Sequence, residues 1–265
     1  MRNGNSVKVL FGSLFVITML ACNLGSSAQS QPQTTEPAAP QAAEENTTAN
    51  AGCTNPYYPV VKDASWSYKS TGSPVGEYQY TEVVSDVRTD GFTVTSEHVE
   101  GFTRSMEWSC TPQGLVTTTF DNGMAGGITA EQFKMDITTT NVEGVALPAQ
   151  IKTGDQWTYT MTYTGLGNIN GSEVTSQGTT VFTMNALGEE SVTVPAGTFT
   201  AMKISNEIVL DVLMTYQGST NPYPSKFSQI NYWVAGVGLV KGENTADTGG
   251  STYSEVIELQ SYTLP

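Results

Sequence analysis

The stretch that decides the fold is Ser191-Val192-Thr193-Val194-Pro195-Ala196-Gly197-Thr198-Phe199-Thr200. On both sides of Pro-Ala-Gly, β-branched or aromatic residues alternate with polar ones, which is typical of half-buried strands. Proline and glycine supply the backbone angles that a tight turn needs. The stretch therefore predicts an antiparallel β-hairpin.

A second hairpin is predicted upstream of this one. Asp90-Gly91 is a strong two-residue turn signal, and it stands between the alternating segments 78–87 and 92–95. Only 14% of the residues are charged, while glycine and threonine are frequent. Such a composition favours strands over helices.

Downstream segments extend the same pattern. Residues 180–187 predict a strand that reaches a turn at Gly188, and residues 253–264 predict the last strand. A long strand is expected to carry Ile208, Leu210, Val212 and Met214 on one face. A hairpin-sized insertion is expected near residues 216–228, and a helix of about two turns is plausible only at 129–135.

The four tryptophans divide the folded region into two similar halves. Trp66-Ser67-Tyr68 and Trp157-Thr158-Tyr159 each begin a half, while Trp108 and Trp233 each precede a turn and then Gly-Leu-Val. Because a packing unit would recur in this way, the order predicts two degenerate half-repeats, about 56–120 and 147–265. The expected fold is all-β, either a curved antiparallel sheet or a β-barrel, within a domain covering 53–265.

The N-terminus predicts an exported lipoprotein. Arg2 and Lys8 accompany a short apolar run that ends at Ala21, which is typical of a signal peptide and short for a membrane span. Met19-Leu20-Ala21-Cys22 resembles the lipobox of bacterial lipoproteins. The resemblance implies removal of residues 1–21 and a lipid carrying acyl chains such as palmitate on Cys22. The alternative is an ordinary secretory signal in which Cys22 is incidental.

Two further cysteines follow a predicted linker. Residues 22–52 are rich in polar residues and proline, with little to bury, so we expect a disordered spacer. If Cys22 carries lipid, Cys53 and Cys110 remain as a pair in an oxidising compartment. The predicted disulfide would contribute roughly 4 kcal/mol through chain entropy. The alternative is two free or metal-binding thiols.

The charge of the chain excludes some partners. The net charge is −14, and it becomes −16 once Arg2 and Lys8 are removed with the signal peptide. An excess of this sign repels phosphate backbones and anionic lipid head groups. We therefore expect no nucleic-acid partner and a membrane association that depends on the lipid anchor.

Three motifs of the second half resemble a known group of domains. They are Trp157-Thr158-Tyr159, Val194-Pro195-Ala196-Gly197-Thr198-Phe199 and Gly236-Val237-Gly238-Leu239-Val240-Lys241. Over about 145–265 the chain is similar to bacterial extracytoplasmic β domains of unknown function. The resemblance implies a curved antiparallel sheet or barrel and carries no assigned activity or catalytic residue.

The sequence contains no recognisable catalytic, metal or cofactor motif, and we expect no cofactor. The only histidine, His98, is expected on a solvated strand face with Glu100. Possible ligand contacts are the two Trp-x-Tyr pairs, two tyrosines in proline-stiffened loops and a carboxylate inside an apolar run: Trp66, Tyr68, Trp157, Tyr159, Tyr57, Tyr223 and Asp211. For each of them a structural role in the core or on the surface is the alternative.

The functional hypothesis is a membrane-anchored, non-catalytic lipoprotein that binds a ligand or an envelope partner. An apolar small molecule is one candidate ligand, by analogy with other curved β domains. The alternative is a carboxylate-based hydrolase acting on an envelope or extracellular polymer, because carboxylates are abundant. A third idea is an assembly factor that contacts an envelope protein through strand edges or tyrosine loops.

Overall fold

The sheet accounts for nearly all regular structure in the described residues, which are 53–73, 76–98, 103–119, 135–169, 172–247 and 252–265 of a computed structural model. The strands of these ranges are β1 (Ser65–Thr71), β2 (Tyr78–Val87), β3 (Gly91–His98), β4 (Thr103–Thr111), β5 (Gly114–Thr117), β6 (Met135–Gly144), β7 (Leu147–Pro148), β8 (Gln156–Ile169), β9 (Ser172–Val194), β10 (Gly197–Tyr216), β11 (Ser219–Pro222), β12 (Ser225–Val234), β13 (Gly238–Asp247) and β14 (Thr252–Thr263).

All these strands belong to one antiparallel sheet. Its order is β6-β8-β9-β10-β12-β13-β14-β1-β2-β3-β4-β5-β7, and β11 pairs with the end of β10. The two halves of the chain meet where β14 pairs with β1. Within the described residues β6 and β7 stand at the two ends of the pairing order, so the sheet is not a closed ring. The prediction of a curved sheet is confirmed, and the barrel alternative is wrong.

The sheet curls around a single core. Tyr159 of β8, near one end of the pairing order, donates its hydroxyl hydrogen to the carbonyl of Thr117 on β5, near the other end. Phe92, Leu115 and Leu259 come from separate parts of the sheet and are at most 1% exposed. Because side chains from distant strands fill the same space, the sheet has an inner face and an outer face.

Both predicted hairpins are confirmed. Residues 195–196 form the turn between β9 and β10, and residues 88–90 connect β2 to β3. The predicted turn at Gly188 is wrong, because β9 continues through that position. The register shifts there, with Lys203 opposite Gly188 and Ile204 opposite Ala186, so Leu187 is the extra residue of a β-bulge. A bulge bends a strand without ending it, and the positive φ of Gly188 (121°) fits that role.

The predicted insertion near 216–228 is present as a hairpin, whereas the structure describes almost none of the predicted helix. The insertion is a hairpin whose turn lies at Gln217-Gly218, after which β11 returns along the end of β10. The plausible helix at 129–135 falls almost wholly outside the described residues, and Met135 begins β6. In the part of the chain that the structure describes, no helix is long and apolar enough to cross a membrane.

The tryptophan markers occupy matching places in the strand order. Trp66 lies at the start of β1 and Trp157 at the start of β8, while Trp108 and Trp233 lie in β4 and β12, each followed by a turn and the next strand. This order is what two half-repeats would give. The domain boundaries and the repeat itself stay predictions.

Candidate functional site

One end of the inner face is closed by the segment that precedes β1. The ring of Tyr58 lies 5.6 Å from Trp66, 5.3 Å from Phe92, 5.7 Å from Trp108 and 6.4 Å from Trp233, between ring centres. These five rings are called the aromatic plug below. Offset and tilted ring pairs at such distances are favourable beyond the area they bury.

Polar contacts hold the same segment in place. The backbone N–H of Gly236 donates to the carbonyl of Pro56 at 2.8 Å, and Asn55 Nδ2 donates to the carbonyl of Pro148 at 3.0 Å. The sulfurs of Cys53 and Cys110 stand in bonding position, with Cα atoms 5.4 Å apart. That separation is compatible with a disulfide, and the predicted bond would join the plug segment to the end of β4.

Three of the predicted ligand-contact residues are core residues. Trp66, Tyr68 and Tyr159 are 2%, 3% and 1% exposed. Trp66 Nε1 donates to the carbonyl of Val237 at 2.6 Å, and the Tyr68 hydroxyl donates to that of Leu239 at 2.9 Å. Because the polar atoms of Trp66 and Tyr68 are committed to the backbone of the second half, the structural role is the one the geometry supports. Trp157 is partly buried against the same core.

The other predicted contacts lie apart from one another. Tyr57 packs partly against the core beside the plug, and burial raises the pKa of its hydroxyl. Tyr223 is 53% exposed in the connection between β11 and β12. Asp211 is exposed on the outer face of β10, because Ile208 and Leu210 occupy the inward phase of the strand. The structure does not bring these three residues into one site.

A band of inward-facing polar side chains crosses the inner face away from the plug. We call it the polar belt, and it consists of Asn206 (β10), Gln229 (β12), Asn244 (β13), Glu255 (β14), Ser70 (β1), Tyr78 (β2), Ser96 and His98 (β3), and Arg104 (β4). The sheet register creates it by pairing Asn206 with Gln229, Gln229 with Asn244, Asn244 with Glu255, Ser70 with Tyr78, and Ser96 with Arg104. Directly paired residues share a face. Between β14 and β1 the belt is joined by the Ser70–Glu255 hydrogen bond, and between β2 and β3 by the contact of the Tyr78 and His98 rings, whose centres are 6.0 Å apart. The belt therefore crosses eight strands.

Glu255 is the centre of the belt. It is 3% exposed, and its Oε1 accepts hydrogen bonds from the hydroxyls of Ser70 and Tyr78, the latter at 2.8 Å. Asn244 Nδ2 donates to Oε2 at 3.3 Å. Burial and the hydrogen bond to Glu255 raise the pKa of Tyr78, so its hydroxyl stays a donor. A buried carboxylate is tolerated when several donors reach it, and three reach this one.

A small pocket opens beside Glu255. Its volume is about 10 Å³, and Gln229, Asn244 and Glu255 line it together with Phe227 and Tyr253. That volume holds about one water-sized group. One strand further along the belt, Asn206 donates its Nδ2 hydrogen to Gln229 Oε1 at 3.1 Å. Asn206 is 8% exposed, and its Oδ1 has no hydrogen-bond partner among the described residues.

A second carboxyl, Glu82, faces inward near the plug. The register places it opposite Trp66 on one side and Ser96 on the other. Burial raises the pKa of Glu82 from 4.5 to about 7, and the positive charge of Arg104 limits the rise. His98 stacks on Tyr80 with ring centres 5.2 Å apart. The expectation of a solvated face for His98 is therefore wrong, while Glu100 lies outside the described residues.

The two inward carboxyls do not form a catalytic pair. Glu82 faces Trp66, whereas Glu255 lies one step beyond the Thr71–Val256 pair, on the other side of β1. At about 3.3 Å per residue and 4.8 Å per strand, the two backbone positions are on the order of 20 Å apart along the sheet. Paired acids of glycosidases stand within about 10 Å. Among the described residues, no three His, Cys, Asp or Glu side chains group as a metal site would need.

The sequence interpretation missed the belt: it named Asp211 as the acid among the possible ligand contacts, with a position on the surface as the alternative, and did not consider Glu255. One signal was available. In Tyr253-Ser254-Glu255-Val256-Ile257-Glu258-Leu259 the carboxylate of Glu255 has the phase of the buried Leu259, whereas Asp211 has the phase opposite to Ile208. The other members lie on separate strands, so no local pattern connects them.

Fold and site together define a class: all-β proteins with one curved antiparallel sheet that is plugged by aromatic rings and carries polar groups inside. The chain belongs to the DUF3108-like family, which matches residues 77–262. Among curated proteins, no sequence match is found.

Three solved structures are similar to the chain. A "putative lipoprotein" from Parabacteroides distasonis is 15% identical with a TM-score of 0.45, and the match covers 80% of this chain and 99% of that one. A "putative exported protein with YmcC-like fold" from Bacteroides fragilis is 13% identical with a TM-score of 0.47, covering 80% and 100%. The "hypothetical lipoprotein YmcC" from Escherichia coli is 10% identical with a TM-score of 0.33, covering 79% and 87%.

Proposed function

We propose that this chain is a non-catalytic extracytoplasmic lipoprotein, anchored to a membrane through lipid on Cys22, that binds a ligand or an envelope partner at the polar belt. The belt carries the proposal, and Glu255 is its central feature. A carboxylate that is 3% exposed and bonded to side chains of three other strands is costly to build for stability alone. Apolar replacements of buried polar groups are often neutral or stabilising.

A few polar groups placed in a concave site fix the orientation of a ligand. Tyr78, Gln229 and Asn244 combine inward orientation with partial solvent access, so they are available from the end of the sheet opposite the plug. The aromatic plug closes the end at which the chain enters the domain, at Cys53. The predicted spacer of about 30 residues would reach roughly 30 Å from Cys22, and an anchor at that distance would leave the belt free to meet a ligand.

The geometry favours a polar ligand over an apolar small molecule. The space near the plug is filled by core side chains. A pocket of about 410 Å³ lies where β9 begins and β10 ends, at the end of this strand pair away from the 195–196 turn. It is lined by polar residues and one glycine: Ser172, Glu173, Thr175, Thr215, Gln217 and Gly218. Neither this pocket nor the one beside Glu255 offers an apolar chamber. The separation of Glu82 from Glu255 gives the hydrolase alternative no support.

The anchor is tested with the full chain and its Cys22→Ala variant expressed in a bacterial host. We expect the mature parent protein to begin at Cys22, to carry a diacylglyceryl mass and to sediment with membranes. The variant should lack that mass and leave the membrane fraction. A parent protein that carries no lipid would contradict the anchoring.

Binding is tested by native mass spectrometry of the full chain carrying Cys22→Ala, after incubation with an envelope extract. We expect a bound mass that is retained by this protein and lost when Glu255→Gln is added. Glu258→Gln, on the same strand but with the outward phase, is the matched control and should retain it. Equal retention in all three proteins, or no bound mass in any, would contradict binding at the belt.

A further inference from the structure

The acceptor groups of the belt are not fully used by the protein. Both hydroxyl donors of Glu255 bind Oε1, and among the described residues Oε2 accepts only the 3.3 Å hydrogen bond from Asn244. That length is at the long end of the hydrogen-bond range, and a carboxylate oxygen accepts two bonds. None of the ion pairs between described residues includes Glu255. The hydrogen bonds that Glu255 accepts from described residues all come from neutral donors.

A buried acceptor without a hydrogen-bond partner among the described residues lies in the same row. Asn206 is paired in register with Gln229, and Gln229 with Asn244, which itself faces Glu255. The Oδ1 atom of Asn206 is buried and has no partner among the described residues. A buried acceptor left without a donor costs free energy. The row thus has spare acceptors and one full negative charge.

A primary ammonium group has the complementary chemistry. It carries three N–H donors, no acceptor and a positive charge. A carboxylate or phosphate would be repelled by Glu255, and a hydroxyl would bring one donor without offsetting the charge. The net charge of −14 attracts cations to the whole molecule. Phe227 and Tyr253 line the same pocket and supply aromatic rings, which attract cations across their faces.

The volume of the pocket limits which group of a ligand can enter it. At about 10 Å³ it admits one group of the size of a water molecule. A primary ammonium group is of that size, whereas a trimethylammonium group is several times larger and has no N–H donor. We propose, resting on the proposed function, that the pocket beside Glu255 binds the primary ammonium group of a ligand. The group could belong to a free amine or to the head group of an aminolipid, and the test distinguishes these sources.

The test uses the full chain carrying Cys22→Ala, isotope-labelled for side-chain amide signals. Ethanolamine, choline and ethylene glycol are titrated separately at constant ionic strength. We expect saturable shifts of the Asn244 and Gln229 amide signals with ethanolamine, and none with choline or ethylene glycol. Because the charged hydrogen bond is lost, Glu255→Gln should weaken ethanolamine binding by at least about tenfold. Glu258→Gln should leave it unchanged.

A vesicle arm separates the two sources. Binding to phosphatidylethanolamine vesicles and not to free ethanolamine would assign the lipid head group, while binding to free ethanolamine alone would assign a soluble amine. Both outcomes support the ammonium site. Choline binding as well as ethanolamine, or the absence of shifts in both arms, would overturn it, and this comparison needs no variant. If the amines fail while an envelope extract still gives a Glu255-dependent bound mass, the inference falls and the proposed function stands.

Discussion

The aromatic plug and the polar belt share the inner face of one sheet, but different interactions hold them. At the plug, Tyr58 is 7% exposed among four other rings, and its hydroxyl has no hydrogen-bond partner among the described residues. At the belt, Glu255 is still more buried, and three side chains donate to it. The plug therefore depends on area and shape, while the belt depends on matched donors and acceptors.

This difference separates stability from recognition within one core. Burying aromatic rings contributes directly to the free energy of unfolding. Burying a hydrogen-bonded carboxylate contributes little on balance, because desolvation offsets the bonds that form. We therefore expect changes at the plug to unfold the domain and a matched apolar replacement of the belt to leave it folded.

The largest effect is expected from the predicted Cys53–Cys110 disulfide, which would join the plug segment to β4. The double variant Cys53→Ala/Cys110→Ala should lose about 4 kcal/mol of unfolding free energy, since the bond closes a loop of about 57 residues in the unfolded chain. Urea unfolding monitored by tryptophan fluorescence measures it. Reductant should destabilise the parent protein to the same extent and leave the variant unchanged. A parent protein insensitive to reductant, with both thiols open to alkylation, would contradict the disulfide.

The ring of Tyr58 should come next. Tyr58→Ala removes the centre of the plug and should cost about 3 kcal/mol, as expected for deletion of a buried aromatic ring. Tyr58→Phe is the matched control, because it keeps the ring and removes a buried hydroxyl without a partner. We expect Tyr58→Phe to be neutral or to stabilise the domain by up to about 1 kcal/mol. If both variants were equally destabilised, the hydroxyl rather than the ring would be what holds the plug.

The plug is easier to predict from the sequence than the belt. Aromatic residues at every second position of a strand indicate a buried face, whichever strands pair with it. Trp66 and Trp108 stand at recurring places in the sequence, and each lies on the inward phase of its strand. The strand pattern and the hairpins at 88–90 and 195–196 follow from the same local reasoning. Gly188 was misjudged because a bulge and a turn both use glycine, and only the pairing of β9 with β10 distinguishes them.

The belt could not be predicted because it depends on register between strands far apart in the chain. Ser70 and Glu255 are separated by 185 residues, and Tyr78 and Glu255 by 177. They meet because β14 pairs with β1, a contact that no local alternation specifies. Asp211 and Glu255 each lie among apolar residues of a strand. A shift by one residue along a strand moves a side chain to the opposite face, and this decides that Asp211 faces outward and Glu255 inward.

Glu82 is a carboxyl that lies between the plug and the belt, opposite Trp66 on one side and Ser96 on the other. Its folded-state pKa of about 7 lies above its ordinary value of 4.5, so the folded protein holds a proton that the unfolded chain releases between these values. Stability should therefore fall as pH rises from 4.5 to 7. The full difference corresponds to about 3 kcal/mol, and partial solvent access of Glu82 reduces the expected loss to about 2 kcal/mol.

The measurement is urea unfolding of the parent protein, Glu82→Gln and Glu77→Gln at several values between pH 4 and 8. Glu82→Gln should flatten this part of the pH dependence and be the more stable protein at pH 8. Glu77 is exposed, lies immediately before β2 and forms a surface ion pair with Lys69. The pH dependence of Glu77→Gln should therefore follow that of the parent protein. Equal slopes for parent and Glu82→Gln would show that Glu82 titrates normally.

The smallest effect on the free energy of unfolding is expected when the central polar groups of the belt are replaced together. Glu255→Leu alone leaves the buried hydroxyl of Ser70 and the partly buried hydroxyl of Tyr78 without their acceptor and should cost about 2 kcal/mol. The triple variant Ser70→Ala/Tyr78→Phe/Glu255→Leu removes the carboxylate together with both hydroxyl donors. Its unfolding free energy should lie within about 1 kcal/mol of the parent, because desolvation and hydrogen bonding are removed together. A triple variant less stable than Glu255→Leu would mean that the belt holds the sheet together as the plug does. A triple variant that is folded and stable but retains no ligand would show that the belt serves recognition.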